Sequence, residues 1–392
     1  MAWQPKRFPS LLSPFVLGDH NVLLDECRRR GVDRSHRLRA AYIHTLSRLF
    51  APLRWIENTY YREQVSTTPI EHPPIFVLGH WRSGTTHLHN LFTQDPQFAY
   101  ISNLHTATAS AFFSFARFLH PLANWISPTI RRPMDNVTMT AVTPQEEEFA
   151  LCGLSPYAMY FHWLYPRSTV EYVRKYVLFE GVSPAVVSEW KRTYHYVLQQ
   201  ATRYHQGKRL VLKNPPNTGR LSVLRALYPD AKFVFIHRDP YTVMQSTRKL
   251  YEVILGGFQL QDISAAEIDE IILTVYEEMM RRYLRDRADI PANQLCEVSF
   301  ADLETDAMGV MASIYQQLEL PGWGAAEPLV SEYLAGQAGY QKNRFADDEA
   351  LIEMVNARWG FAFEAFGYEK AGEFSPDIQS ERQDAAGDGR RR

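Results

Sequence analysis

The stretch Pro74-Ile-Phe-Val-Leu-Gly79-His-Trp-Arg82-Ser83-Gly84-Thr85-Thr86 constrains the fold more than any other part of the 392-residue chain. Ile75 to Leu78 is a short apolar run that reads as a buried strand, and Thr85 to Phe92 carries helical spacing. Between them lies a glycine-bounded loop. A strand that leads through such a loop into a helix aims backbone N–H groups and a helix N-terminus at one point, which suits a phosphate. Gly79 and Gly84 keep the G-x-x-x-x-G spacing of a nucleoside-triphosphate loop, but Thr85 stands where the lysine belongs. The fixed positive charge is Arg82, inside the loop. This equips the loop to hold a phosphate and equips it poorly for Mg-dependent γ-phosphoryl transfer.

A second block lies far along the chain. It runs Leu210-Val-Leu-Lys213-Asn214-Pro215, then Tyr228-Pro229-Asp230-Ala-Lys-Phe233-Val-Phe-Ile236-His237-Arg238-Asp239-Pro240, and on to Ser246. Together the two blocks resemble the sulfotransferases that use 3′-phosphoadenosine 5′-phosphosulfate (PAPS), and a bacterial branch of them in particular. Arg82-Ser83-Gly84-Thr85-Thr86 matches that family's R/K-S-G-T-T loop without a gap. The second block resembles its K-x-P segment followed by F-P-x-A-x-F-x-x-x-R-D-P and a later serine, with Tyr228 in the place of the usual Phe.

By this resemblance Arg82, Ser83, Gly84, Thr85 and Thr86 hold the 5′-phosphosulfate, and Arg238 and Ser246 hold the 3′-phosphate that separates PAPS from ATP. Lys213 lies near the transferring sulfuryl group, and Gly339-Tyr-Gln-Lys342-Asn-Arg344 resembles a late basic loop over the nucleotide, with Lys342 beside the phosphates. The resemblance spans about residues 70 to 370 and implies a P-loop-like α/β sulfotransferase fold.

Strand and helix signals agree with that fold class. Leu210 to Leu212 and Phe233 to Ile236 are continuous apolar runs, as in parallel strands buried on both faces, and Leu295 to Phe300 contributes a later one. Asn217 to Leu227 reads as a crossover helix capped by Asn217 or Thr218; Asp239-Pro240 reads as an N-cap with proline at the first helical position. Alternating strands and helices predict three layers, α/β/α, around a mostly parallel sheet. The expected organisation is a helical extension over residues 1–66, a sulfotransferase domain over 70–370 with a helical, aromatic-rich acceptor-side insertion at 97–205, and a disordered tail over 372–392.

Composition narrows the class further. Hydrophobic content of 45% and charged content of 22% are ordinary for a globular enzyme, and a formal charge of -2 gives no reason to expect nucleic acid as a partner. Cys27, Cys152 and Cys296 are scattered and odd in number, which fits a reducing compartment rather than a disulfide framework. No signal peptide is evident, and no run reaches the roughly 18 apolar residues of a membrane span. Ala107 to Ile126 comes nearest and is broken by Arg117, His120 and Pro121. A cytoplasmic protein is the expectation.

Transfer of a sulfuryl group needs a cationic cradle, charge stabilisation at the leaving oxygen and a base for the acceptor proton. Arg82 and Lys213 meet the first two needs, and no metal is expected. For the base, Glu148, Glu147 and His105 stand as candidates. Glu148 shares a helix face with Cys152 and borders Phe149. Glu146 reads instead as the closing residue of a Thr143-Pro-Gln-Glu146 capping box. His80, His87 and His89 lack the pattern of a metal site, because His87 and His89 point to different faces of a helix.

The crowd of Phe112, Phe113, Phe115, Phe118, Trp125, Tyr157, Tyr160, Phe161, Trp163 and Tyr165 is either ordinary core or an apolar acceptor pocket. The second reading points to a lipid or phenolic alcohol. A nucleotide kinase and a non-catalytic nucleotide-binding protein remain as alternative functions.

Overall fold

The computed structural model describes residues 15–115, 130–131, 138–337 and 348–371. Lys342, Phe118, Trp125 and the tail over 372–392 lie outside them. Five strands, β1 (Ile75–Leu78), β2 (Phe98–Ala99), β3 (Arg209–Lys213), β4 (Lys232–His237) and β5 (Leu295–Ser299), form one sheet in the order β2-β3-β1-β4-β5. Every pairing within it is parallel, and Phe76 of β1 sits between Leu212 of β3 and Phe233 of β4. Residues 130–131 and 138–139 make a separate antiparallel ribbon.

Strand residues alternate between two hydrophobic cores, as the pleat requires. Phe76, Leu78, Leu210, Leu212, Phe233 and Phe235 join one core with residues of α3 (Pro184–Tyr204), α4 (Pro240–Phe258), α5 (Ala265–Asp286) and α6 (Glu349–Phe366). Ile75, Val77, Val211, Val234, Ile236 and Val298 join the other with Leu88, Leu91 and Phe92 of α1 (Thr85–Phe92) and with Met311, Ile314 and Val330. The predicted three-layer α/β/α arrangement is the one found.

Most predicted elements keep their bounds to within one residue; three do not. The crossover after β3 begins as a tight 3-10 turn, Pro215–Arg220, and becomes α-helical only at Leu221. Within the expected helical extension, the helix Arg37–Leu49 breaks at Phe50 and a new one starts at Ala51, with proline at its second position. The Thr143–Glu146 capping box does not form. Residues 140–145 instead run beside 101–104, with the Asn103 amide donating to Thr143 O at 3.0 Å and the Gln145 amide to Ile101 O at 2.8 Å. The helix α2 starts only at Glu148 and ends at Cys152.

Tyr160, Phe161, Trp163 and Tyr165 are buried among core residues. Residues 20–66 are helical and dock on the later chain, for example where the Asp33 amide donates to Leu260 O at 3.0 Å.

Candidate active site

The loop between β1 and α1 is held against the sheet by contacts that leave little freedom. Gly79 has φ of 144°, and a Cβ there would lie 2.5 Å from the Ile236 carbonyl oxygen. Its N–H donates to Thr218 Oγ1 at 2.8 Å, and the Thr218 hydroxyl donates back to Gly79 O at 3.2 Å. Gly84 takes φ of 98° at the helix N-cap, and a Cβ there would meet Phe300 Cδ2 at 2.2 Å. Glycine is required at 84 on both grounds, conformation and space. The first intrahelical bond runs from the Leu88 amide to Gly84 O, so the amides of Thr85, Thr86 and His87 precede it and are available to an anion at the helix start.

Arg82 is one of the few non-glycine residues with positive φ, at 72°, a conformation that costs energy and concentrates at functional turns. Its Nε–H donates to Ser246 Oγ at 2.8 Å. Arg238, at the end of β4, donates from Nη1 to Arg82 O at 3.3 Å and lies over the Phe300 ring, 4.2 Å from its centroid. The neighbouring Asp239 caps α4 by accepting from the Thr242 amide at 2.8 Å. The structure therefore brings Arg82, Ser83, Gly84, Thr85 and Thr86 together with Arg238 and Ser246 at the carboxyl ends of β1 and β4. Ligands of open α/β sheets bind at that end.

Lys213 ends β3 and is almost completely buried. Its ammonium donates to the Glu146 carboxylate, which also accepts from the Tyr160 hydroxyl. The Tyr160 oxygen in turn accepts from Nε1–H of the loop residue Trp81 at 3.0 Å. The chain Trp81–Tyr160–Glu146–Lys213 thus ties the loop to the end of β3. Burial, and the adjacent Glu146 carboxylate next, hold the Tyr160 hydroxyl well above its ordinary pKa, so it stays a donor.

Glu148, a candidate base, lies in a different setting. Its carboxylate is sealed from solvent in a two-pronged pair with Arg220, at 2.6 Å and 2.9 Å, and also accepts from the Met159 amide and Asn214 Nδ2. Arg220 is itself bound to Tyr176 O and stacked on Trp190. Such a carboxylate orders the chain around it.

Glu147 is equally buried and faces elsewhere, accepting from the Tyr194 hydroxyl and Asn217 Nδ2, each at 2.7 Å. Burial, opposed by the Tyr194 bond and reinforced by the Glu148 charge, pushes its pKa up to about 7. Because α2 begins only at Glu148, three consecutive glutamates fan out to three different partner sets. Glu146 is the one that touches Lys213 and keeps some exposure.

His105, the third candidate base, is stacked flat on Phe112 with ring centroids 3.4 Å apart. Burial, and secondarily His205, hold its pKa well below the ordinary histidine value. That surrounding is core-like. His89 donates from Nε2–H to Val211 O at 3.1 Å, and its pKa is pushed down to about 3 by burial and by the Lys213 charge. His80 contacts Trp81 O at 3.0 Å, and burial lowers it to about 4. Among the described residues no three His, Cys, Asp or Glu side chains come together as metal ligands.

Trp81, Asn214 and Phe300 carry no role in the sequence reading, where Asn217 and Thr218 are only helix caps and Tyr160 only one of the aromatic crowd. The polar run Lys213 to Thr218 at the carboxyl end of a strand was the available signal for three of them.

Fold and site together define a transferase with a phosphate-cradling loop. A model of the sulfotransferase family matches residues 73–324. Over 320 residues the chain is 30% identical to the omega-hydroxy-beta-dihydromenaquinone-9 sulfotransferase Stf3 of Mycobacterium bovis, covering 80% of each protein. The Mycobacterium tuberculosis protein of the same name matches to the same degree. The chain belongs to the sulfotransferase family and is an enzyme that transfers a sulfo group.

Its fold is similar to that of sulfotransferase STF9 from Mycobacterium avium, with a TM-score of 0.60 at 19% identity over 91% of this chain and 98% of that one. It is also similar to STF1 from Mycobacterium tuberculosis, with a TM-score of 0.59 at 22% identity over 86% and 90%. At those identities the likeness concerns the fold. No helix among the described residues is long and apolar enough to cross a membrane.

Proposed function

We propose that the enzyme moves the sulfuryl group of PAPS to a hydroxyl of an apolar, lipid-like alcohol, with Glu146 as the base. The observation that carries the reading is the corner formed by Arg82, Ser246 and Arg238 beside the helix start of α1. It offers two guanidinium groups and a hydroxyl linked by hydrogen bonds, beside the backbone amides of the helix start, enough for a nucleotide phosphorylated at two separate positions.

The residues fit the donor in chemistry as well as charge. The amides of Thr85 to His87 and the Arg82 side chain would hold the 5′-phosphosulfate, and Arg238 with Ser246 the 3′-phosphate. When bound, PAPS supplies an activated sulfuryl group on a good leaving phosphate. Lys213 then stabilises the negative charge that grows on the leaving oxygen. Glu146, released from Lys213 as that ammonium turns to the donor, accepts the acceptor's hydroxyl proton while the acceptor oxygen forms its bond to sulfur. Tyr160 keeps the carboxylate aimed.

Support for a lipid-like acceptor comes from two sides. The chain's relatives are named for a hydroxylated menaquinone derivative. Phe112, Phe113 and the buried His105 also pack as an aromatic cluster on the segment that pairs with residues 140–145, which lead into Glu146. Location in the cytoplasm and action of the whole 70–370 segment as one catalytic domain belong to the same proposal.

Calorimetry with 3′-phosphoadenosine 5′-phosphate against ADP tests the donor. Transfer from labelled PAPS to a panel of hydroxylated isoprenoid quinones, sterols, phenols and sugars tests the acceptor. Equal affinity for the two nucleotides, or transfer to sugars alone, overturns the reading.

A further inference from the structure

The helices over residues 37–66 carry large apolar side chains on the outside. Leu38 is 88% exposed, Leu49 68%, Trp55 64% and Tyr60 60%. These are not residues of a loosely packed segment. The helix Arg37–Leu49 buries Ala40, Ile43 and Ser47 on its other face, and the following helical stretch buries Arg54, Glu57 and Val65. Leu38 and Leu49, eleven residues apart, lie about 20° apart around the first helix and so share its outer face. Leu49 then hands over to the exposed Pro52 and Trp55 across the break at Phe50.

The exposed charge along this outer face is predominantly positive. Between Arg34 and Arg62 the chain has six arginines, of which Arg34, Arg37, Arg48 and Arg62 are exposed. The single carboxylate in that span, Glu57, is buried and consumed by the Ser114 amide at 2.8 Å, the Ser114 hydroxyl at 2.9 Å and the Phe113 amide. Apolar side chains with an interfacial tryptophan and tyrosine, rimmed by four exposed arginines against one exposed acid, Glu63, match the surface of an anionic bilayer.

We propose that this helical face is a docking surface for an anionic lipid membrane, on which the enzyme sits without spanning it. The same helices are bolted to the acceptor-side segment: Glu57 fixes Phe113 and Ser114, and Tyr61 stacks on Phe113 with centroids 5.7 Å apart. Phe112 of that segment stacks on His105. A lipid leaving the bilayer at the docking face therefore reaches the apolar side of the site without crossing water. This last step rests on the lipid-acceptor reading; the docking itself does not.

The test is co-sedimentation of the full chain with phosphatidylglycerol-containing vesicles and with phosphatidylcholine vesicles, without nucleotide or acceptor, so that its failure is separable from failure of the sulfo-transfer reading. The expected result is binding to the anionic vesicles that weakens as salt rises. Trp55→Glu with Leu49→Glu is expected to weaken it about tenfold or more, and Arg34→Gln with Arg37→Gln and Arg62→Gln to lower it and flatten the salt dependence. Both variants place polar groups on exposed positions, and circular dichroism and melting confirm that they fold. Absence of binding, equal binding to both vesicle types, or binding untouched by Trp55→Glu with Leu49→Glu overturns the proposal. So does a dimer in gel filtration that this variant dissociates, which assigns the face to a second copy of the chain.

Discussion

The Arg82 guanidinium donates to the Ser246 hydroxyl across 164 residues of chain, joining the loop after β1 to the second turn of α4. Arg238 completes the corner through the Arg82 carbonyl. Neither contact follows from local structure. They exist because β1 and β4 are adjacent parallel strands whose carboxyl ends point the same way.

The first prediction concerns this corner. Arg238→Ala is expected to weaken binding of 3′-phosphoadenosine 5′-phosphate about 10- to 100-fold, the loss of a charge-assisted contact, while leaving ADP affinity within about twofold. Calorimetry with both nucleotides reads the difference. Equal losses for the two would remove Arg238 from the 3′-phosphate.

Glu146 and Glu148 separate catalysis from stability. Glu146→Gln is expected to lower kcat on the order of 10²-fold or more with nucleotide affinity unchanged. Glu148→Gln leaves Arg220 charged and underpaired in the core, and is expected to cost about 3–5 kcal/mol of stability. Thermal melting beside steady-state kinetics tells them apart. A stable but inactive Glu148→Gln enzyme would return the base to Glu148.

Glu147 predicts a pH dependence of stability. Its carboxyl ionises near 4.5 in the unfolded chain and at about 7 when buried beside Tyr194 and Glu148. Between those values the unfolded state releases a proton that the folded state keeps, so raising the pH favours unfolding. The contribution is fully present below pH 4.5, declines through the window and is lost above about 7. Glu147→Gln, a near-isosteric stand-in for the protonated acid, is expected to flatten that decline. Melting temperatures of both proteins across the window check it, and parallel curves would refute the assignment.

Gly84→Ala tests the tight turn over Phe300. The new methyl would overlap the ring, whose Cδ2 lies 2.2 Å from the ideal Cβ position, and the φ of 98° would strain any L side chain. Loss of nucleotide binding is expected, with partial recovery in Gly84→Ala with Phe300→Ala, since the second change removes the overlap but not the strain of about 1–3 kcal/mol. Binding isotherms of the single and double variants measure it. No recovery would place the whole effect in the backbone.

The chain's amino-acid order by itself determined the parallel strands, the loop and the cap at Asp239. Each is a local matter: four apolar residues in a row bury a strand on both faces, and glycines at 79 and 84 permit angles that other residues resist. The loop and the Arg238–Ser246 spacing were legible through their resemblance to the sulfotransferase family's motifs. Only the tertiary structure decided the partners of the three glutamates. Helical spacing placed Glu148 toward the acceptor, whereas a late helix start turned Glu146 to Lys213, Glu147 to Tyr194 and Glu148 to Arg220. A buried carboxyl goes where a counter-charge or a hydrogen-bond donor is, and Lys213, Tyr194 and Arg220 are brought to residues 146–148 by packing across 47 to 72 residues of chain that no spacing rule spans.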